Sequence, residues 1–459
     1  LRAKRSNLLS VIALRHAVAQ DHGICHNGGA NREAWDYHGI GTAMNGKKAW
    51  AQNLGLALAS VLVVILLSMT ADKVLGRYAT RPELRGTMEL IFPPRAEQTF
   101  SSIEFTYTAH INSLGLRERE LKPNPGVFRI AAIGDSYTYG WGVEAEQSWL
   151  RLLEKNLRDR GYNVETVNLG KPGAGPPHYG EIAEKALSVV QPNLVLLGMH
   201  QGDDMAGAGS EGLEKLKRLE GGPLVSLARN LFPNITRMLR DARLSRMGDA
   251  RRQEAPPQKS SAEDNRRWTE NTARDFLAKM SPEEKTQYGT LDPKVRDAFE
   301  RGMFNPYMVD LALKNPRIYI VPMLLDDSWT KQCIDNMAGQ FRRIDRAARE
   351  VRATVSVLSI PDGAYVNDAA RQNITRVGYQ IDPAVMTAEN ADEGFRRACE
   401  KAGLPFNTVS KGFLEHASET DLFFELDGHL TAKGHALYAE LITPVVERMI
   451  ASVAPRIKP

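Results

Sequence analysis

The chain has 459 residues, 42% hydrophobic and 25% charged, a balance that excludes wholesale disorder and a polytopic membrane protein. Its 59 basic against 55 acidic residues leave a net charge of +4, too small and too dispersed for a nucleic-acid-binding face. Cys25, Cys333 and Cys399 lie far apart with no C-x-x-C, which excludes a disulfide scaffold and gives a structural zinc site no support; Cys333 and Cys399 are expected to stay unpaired, a bridge between them outside the cytoplasm being the alternative.

Residues 1–43 open on Leu1 and carry His16, His22, His26 and His38 without periodic pattern. His22, Cys25 and His26 are metal-ligand types, but the stretch reads better as an unstructured or non-native extension. Met44-Asn-Gly-Lys-Lys48 has the make-up of a signal-anchor n-region. Leu54 to Ala71 follows, 18 residues without a charge, enough to span about 30 Å of hydrocarbon. Its end, Ser68-Met-Thr-Ala71, lacks an A-x-A cleavage pattern, so residues 44–72 are expected to be an uncleaved transmembrane signal anchor. Lys47 and Lys48 before it are outnumbered by Lys73, Arg77, Arg81 and Arg85 after it, so the positive-inside count does not set the orientation. Large C-terminal domains translocate largely regardless of that count, and a single-pass protein with an extracytoplasmic catalytic domain is expected.

A lead-in segment, residues 73–127, contains one strand pattern: Phe105, Tyr107, Ala109 and Ile111 alternate with Thr106, Thr108 and His110. Asn112-Ser-Leu-Gly-Leu-Arg117 then reads as a turn. Residues 128–205 hold short apolar strands at Phe128–Ile133, Val164–Leu169 and Leu194–Met199. These alternate with helices over Trp149–Leu157 and Tyr179–Val190. Such spacing implies a doubly wound parallel sheet. The pattern breaks over residues 206–310, charged and mostly helical, which read as a cap insertion with a flexible loop at Arg251–Arg267 around Pro256 and Pro257. It returns over 311–459, with a helix at Met337–Arg352, a strand at Val355–Ile360 and a last helix from Thr431 burying Leu437, Leu441, Val445, Met449 and Val453.

Gly134-Asp135-Ser136 directly follows the first strand and precedes a helix. Ligands of open α/β sheets bind at the carboxyl ends of the strands, so Ser136 sits where a nucleophile is presented and its N–H where an oxyanion is met. Asn168-Leu-Gly-Lys-Pro-Gly-Ala-Gly175 and Gln201-Gly-Asp-Asp204 follow the second and third strands on the same edge, and Asp427-Gly-His429 precedes the last helix. A serine, a histidine base and a carboxylate that orients it are the parts of nucleophilic acyl transfer.

GDSYTYGWG, NLGKPGAG, QGDD and DGHLTAKGH stand in the order and context of the blocks of the SGNH/GDSL hydrolase superfamily, which the chain resembles from about Asn112 to its C-terminus outside the insertion. The Asn112-x-x-Gly115-x-Arg117 stretch is similar to the lead-in of some bacterial members. The resemblance implies a flavodoxin-like three-layer sandwich and hydrolysis or transfer of ester acyl groups, with no metal or organic cofactor. By position it implies Ser136 as nucleophile, His429 as general base and Asp427 as its orienter, with the N–H groups of Ser136 and Gly173 in the oxyanion hole. Two departures stand out. The third block of the family usually carries an asparagine donor where this chain has Asp203, and an ionised carboxylate only accepts hydrogen bonds. Gln201 is the nearest substitute donor. Asp-x-His also replaces the commoner Asp-x-x-His, which leaves Glu425 as an alternative orienter. His200 and Asp135 are expected beside the site, contacting substrate or tying loops together, and His435 is expected to be structural. The expectation is a serine esterase acting on an acylated carbohydrate or lipid. An O-acetyltransferase would use the same triad, and a catalytically inactive glycan- or partner-binding module is the rival that Asp203 motivates.

Overall fold

The computed structural model describes residues 41–79, 88–122, 124, 126–209, 228, 231–232, 234–236 and 259–453. The chain divides into two units, Leu1–Leu66 and Leu67–Pro459. The expected extension, with His22, Cys25 and His26, lies outside the described residues up to residue 40, and residues 41–43 open helix α1 (Gly41–Ala79) instead. Within α1, Gln52–Leu75 is a 24-residue apolar stretch whose 18-residue window of mean hydropathy 2.5 has no buried residue. At 1.5 Å per residue it is about 36 Å long, enough by length and composition to cross a bilayer.

The strands among the described residues are β1 (Glu97–Ser101), β2 (Thr106–His110), β3 (Phe128–Gly134), β4 (Val164–Gly170), β5 (Leu194–His200), β6 (Lys259–Ser260), β7 (Thr354–Ile360) and β8 (Phe406–Asn407). β1 and β2 form an antiparallel hairpin that β6 joins in parallel, and the other five build a parallel sheet of order β4-β3-β5-β7-β8. The chain starts this sheet at β3, moves outward to β4, then returns past β3 to β5. The crevice at the carboxyl end of β3 is therefore the topological switch point where open α/β sheets bind ligands.

Both faces of the sheet are covered, which is why its long strands are buried at nearly every position rather than alternately. Ile130, Ala132, Leu194 and Leu196 face a core filled by Trp149, Leu153 and Leu157 of α3 (Trp149–Asp159, after the short α2, Ser136–Tyr139) and by Tyr438, Ile442 and Val446 of the last helix. Ala131, Ile133, Val195 and Leu197 face the opposite core, built on Tyr179, Ala183 and Leu187 of α4 (Pro176–Val190) with Met337, Phe341 and Phe395. The expected α/β sandwich is thus present, with strands and helices close to the ranges read from the sequence.

After the one-turn α5 (Asp204–Gly207), the helices α6 (Ala262–Lys279), α7 (Pro282–Gly289), α8 (Pro293–Glu300) and α9 (Pro306–Lys314) follow β6. Their Ala273, Tyr288, Val295, Phe299 and Val309 are buried in the same core as Trp149 and Tyr438. The loop expected over Arg251–Arg267 is corrected where it is described. Lys259 and Ser260 pair with β1, and Ser261 caps α6 by accepting from the Asp264 N–H while Asp264 accepts from the Ser261 N–H. This capping box satisfies two helix-end donors and starts a helix inside the polar run. The second half of the sheet domain adds α10 (Ser328–Glu350), α11 (Gly363–Val366), α12 (Asp368–Val377), α13 (Ala388–Ala402), α14 (Ser410–Glu415) and α15 (Ala432–Val453). Cys333 and Cys399 are buried free thiols.

One close approach decides how the site is seated. A Cβ at Gly170, the last residue of β4, would lie 2.3 Å from the Tyr139 backbone nitrogen. Only a glycine lets α2 rest directly on the strand end.

Candidate active site

Ser136 is the first residue of α2, immediately beyond β3. Its N–H has no acceptor within the helix, and the Asp135 side chain caps the turn by accepting from the Tyr137 N–H at 2.9 Å. The serine is therefore raised at the switch point by local geometry alone.

His429 and Asp427 arrive from the other end of the chain on a tight loop. Phe423 and Leu430 form an isolated bridge, the Phe424 N–H donates to the His429 carbonyl at 2.8 Å, and Gly428 turns the chain at φ +80°. Glycine adopts that conformation at no steric cost. The loop places His429 Nε2 2.8 Å from Ser136 Oγ and His429 Nδ1 2.5 Å from Asp427 Oδ1. Burial works against a charged His429 ring, but the Asp427 carboxylate outweighs it and holds the ring above the ordinary histidine range. The three residues the sequence singled out are thus brought into one hydrogen-bonded chain.

Side chains the sequence reading missed hold this loop. Glu104, between β1 and β2, accepts from the N–H of Asp427 at 2.8 Å and from that of Leu426 at 3.1 Å. Trp141 Nε1 donates to Asp427 Oδ2 at 3.4 Å, and the Tyr137 hydroxyl donates to the Gly428 carbonyl at 3.0 Å. Trp141 and Tyr137 lie within the GDSYTYGWG block, whereas Glu104 has no sequence signal linking it to residues more than three hundred positions away. Glu425, the alternative orienter, is corrected. It pairs with Arg376 and with Lys294 and does not reach the histidine.

A cleft of about 210 Å³ opens over Ser136 and His429. Gly173, at φ +69°, and Asp203 line it, with Met308 and Leu311 of α9 and Tyr319 and Tyr379 as walls. Asp203 is half exposed, but its Oδ1 contacts His200 Nδ1 at 2.9 Å. His200 itself is buried, lines the cleft and stacks on Tyr137 with ring centroids 3.7 Å apart. Asp362, also lining the cleft, approaches its other nitrogen at 2.9 Å, off the N–H axis, so that contact acts through charge rather than as an aligned hydrogen bond. Asp135 Oδ2 faces His200 at 3.6 Å with no hydrogen bond of its own, and burial pushes the Asp135 carboxyl up to about 6.

Gln201 is not brought to the cleft, which corrects its expected role as a substitute donor. Its N–H continues the pairing of β5 to Ile360, and its side-chain amide points inward and donates to Asp392, Ser410 and Ser359. His435 is structural as expected: its Nδ1 accepts from the Trp149 N–H, and burial pushes the ring down to about 3. Among the described residues, Asp135, His200 and Asp203 are the grouping whose ligand atoms come within 4.8 Å of one another. The His200–Asp203 edge has the length of a hydrogen bond.

No family model matches the chain. It is similar to Esterase TesA of Pseudomonas aeruginosa, 28% identical over 114 residues that make up 23% of this chain and 56% of that protein. The chain therefore spans about half the length of this relative. Solved structures similar to it include that of TesA (13% identity, 70% of this chain and 98% of that one, TM-score 0.31). Another is the esterase EstA from Pseudoalteromonas (10% identity, 70% and 98%, TM-score 0.32). A third is a catalytic mutant of the acetylxylan esterase Axe2 from Geobacillus stearothermophilus (11% identity, 71% and 95%, TM-score 0.34).

The Asp427–His429 contact sets a titration that needs no substrate to observe. Followed by NMR, the His429 ring should titrate above its ordinary value of about 6.5. Replacing Asp427 with asparagine leaves burial as the dominant influence, so the titration should then move below that value. An unchanged midpoint in Asp427→Asn would show that the carboxylate does not act on the ring.

Proposed function

We propose that this chain is a serine ester hydrolase with Ser136, His429 and Asp427 as its catalytic triad. The observation that carries the reading is the continuous contact from Ser136 Oγ through both ring nitrogens of His429 to the buried Asp427 carboxylate. In this mechanism His429 Nε2 takes the Ser136 proton as Oγ attacks the ester carbonyl. The Ser136 and Gly173 N–H groups meet the developing oxyanion. Collapse expels the alcohol, which takes the proton from His429, and water repeats the cycle to release the acid. Asp427 holds the ring with its Nδ1 proton inward and stabilises the imidazolium. The similarity to an esterase over the matched region supports the same chemistry.

The aromatic and apolar walls of the cleft suit an O-acyl or O-acetyl ester carried on a glycan or lipid. Asp203 favours one rival, a binding module without turnover, because a carboxylate stands where a donor is expected. A fluorophosphonate probe separates the two: it should label the native protein and not Ser136→Ala. A folded native protein that is neither labelled nor able to hydrolyse p-nitrophenyl acetate would leave only the binding module.

Glu104 belongs to this mechanism as the residue that seats Asp427. Glu104→Ala should lower kcat/KM for p-nitrophenyl acetate by about 10- to 10²-fold, since displacing a reacting group by about 1 Å has that cost. A loss confined to thermal stability would mean that Glu104 only braces the fold.

We place the catalytic unit outside the cytoplasm, with the Gln52–Leu75 stretch as an uncleaved anchor. Alkaline phosphatase fused after residue 459 should be active in cells and remain in the carbonate-washed membrane fraction. An inactive fusion would reverse the orientation, and a soluble active one would mean the segment is cleaved.

A further inference from the structure

Asp203 stands where the resemblance calls for an amide donor, and a free carboxylate there would oppose the charge an oxyanion develops. The groups behind Asp203 remove that conflict. His200 lies between Asp203 Oδ1 and Asp362 Oδ2, each 2.9 Å from a different ring nitrogen. A neutral imidazole has one N–H. With both carboxyls ionised, the Asp203 contact is a hydrogen bond only if Nδ1 carries its proton, and the Asp362 charge beside Nε2 favours a second proton there. Asp135 Oδ2 adds a third carboxylate at 3.6 Å, and the Tyr137 ring covers the face of the imidazole. Stacking on an aromatic face also favours a cation. Burial alone would discharge His200, but Asp203 and Asp362 together hold it well above the ordinary histidine range.

Asp362 is itself fixed. Its Oδ1 accepts from the Ala364 N–H at 2.7 Å, and its own N–H donates to Gln201 Oε1 at 3.2 Å. The chain from Gln201 through Asp362 and His200 to Asp203 therefore runs from the buried end of β7 to the cleft. We propose that His200 is a positioning residue: bridging Asp362 and Asp203, it neutralises the Asp203 carboxylate and keeps it engaged, so that the cleft retains an oxyanion site a free carboxylate would spoil. This rests on the reading of Ser136 as an esterase nucleophile.

The test is a double-mutant cycle on p-nitrophenyl acetate with His200→Gln, Asp203→Asn and both together. His200→Gln alone should lower kcat by about 10²-fold, the scale of one lost oxyanion interaction, with KM little changed. In the Asp203→Asn background, where no carboxylate needs neutralising, the same substitution should cost less than about tenfold, and the difference is the coupling between the two residues. An equal loss in both backgrounds, or none in the first, overturns the proposal. Should His200→Gln fail to fold, Asp362→Asn replaces it, since its side-chain oxygen can still cap Ala364. It should likewise lower kcat more in the native than in the Asp203→Asn background. EDTA should leave native turnover intact; a loss reversed by zinc or calcium would mean that Asp135, His200 and Asp203 hold an ion instead. Absence of any Ser136-dependent turnover would sink the esterase reading itself. Nitrogen-15 shifts of the His200 ring then still decide the bridge: both nitrogens should be protonated at pH 7, and a neutral ring overturns it.

Discussion

The site depends on one long-range closure, the hydrogen bond from Ser136 to His429 across nearly three hundred residues. Its two halves have unequal support. Ser136 is placed by a strand end, a capped helical turn and a glycine at 170 that lets the turn rest on β4. His429 rides on a loop with a single isolated bridge, so its position comes from side chains supplied elsewhere: Glu104 on the Asp427 and Leu426 N–H groups, Trp141 on the Asp427 carboxylate, Tyr137 on the Gly428 carbonyl, and Phe105 packed on Phe424 with ring centroids 5.0 Å apart. The β1–β2 hairpin is therefore part of what makes the site, although none of its residues touches Ser136 in the contacts described above.

Electrostatics imposes the second constraint. Asp135, Asp204, Asp362 and Asp427 are all buried around the switch point. An isolated buried carboxylate is costly, so each needs a partner or a proton. Asp427 has His429. Asp204 accepts from the Tyr179 hydroxyl and from the His200 N–H, and burial together with Asp135 and Asp203 holds its carboxyl well above the usual range. Asp362 and Asp203 share His200, which leaves one oxygen of Asp135 without a hydrogen bond. Replacing His200 thus removes the ring on which several carboxylates converge. A merely packed histidine would not have that reach.

What was legible in the sequence was local. Short apolar runs mark β3, β4 and β5, and the residues directly beyond each run mark the sheet edge, because strand ends project the next few residues into the crevice whatever follows. Asp427 and His429 were legible from a motif and from the resemblance, since nothing in their own surroundings signals a distant serine. The failures were non-local or depended on side-chain direction. Gln201 has the right chemistry in the right block, yet pairing along β5 carries two residues beyond the apolar run, to the Gln201 N–H, and its amide turns inward. Glu104 is an unremarkable acidic residue until the hairpin is packed. The Ser261-x-x-Asp264 capping box of α6 lies in a polar run with Pro256 and Pro257, a composition that by itself signals a loop.

Both positions at which the chain departs from the pattern it resembles have a local structural counterpart. With one residue between Asp427 and His429, both side chains must reach their partners from a shorter loop, and Gly428 in the left-handed region with its N–H returned to the Phe424 carbonyl supplies the tight turn this requires. At residue 203, where the resemblance calls for an amide, the carboxylate is accompanied by His200 and Asp362. An aspartate alone at this position would harm an oxyanion site, and a histidine alone would be a neutral buried ring. The three form a unit, and under the proposed esterase reading that is the physical reason a carboxylate at 203 is compatible with an oxyanion site.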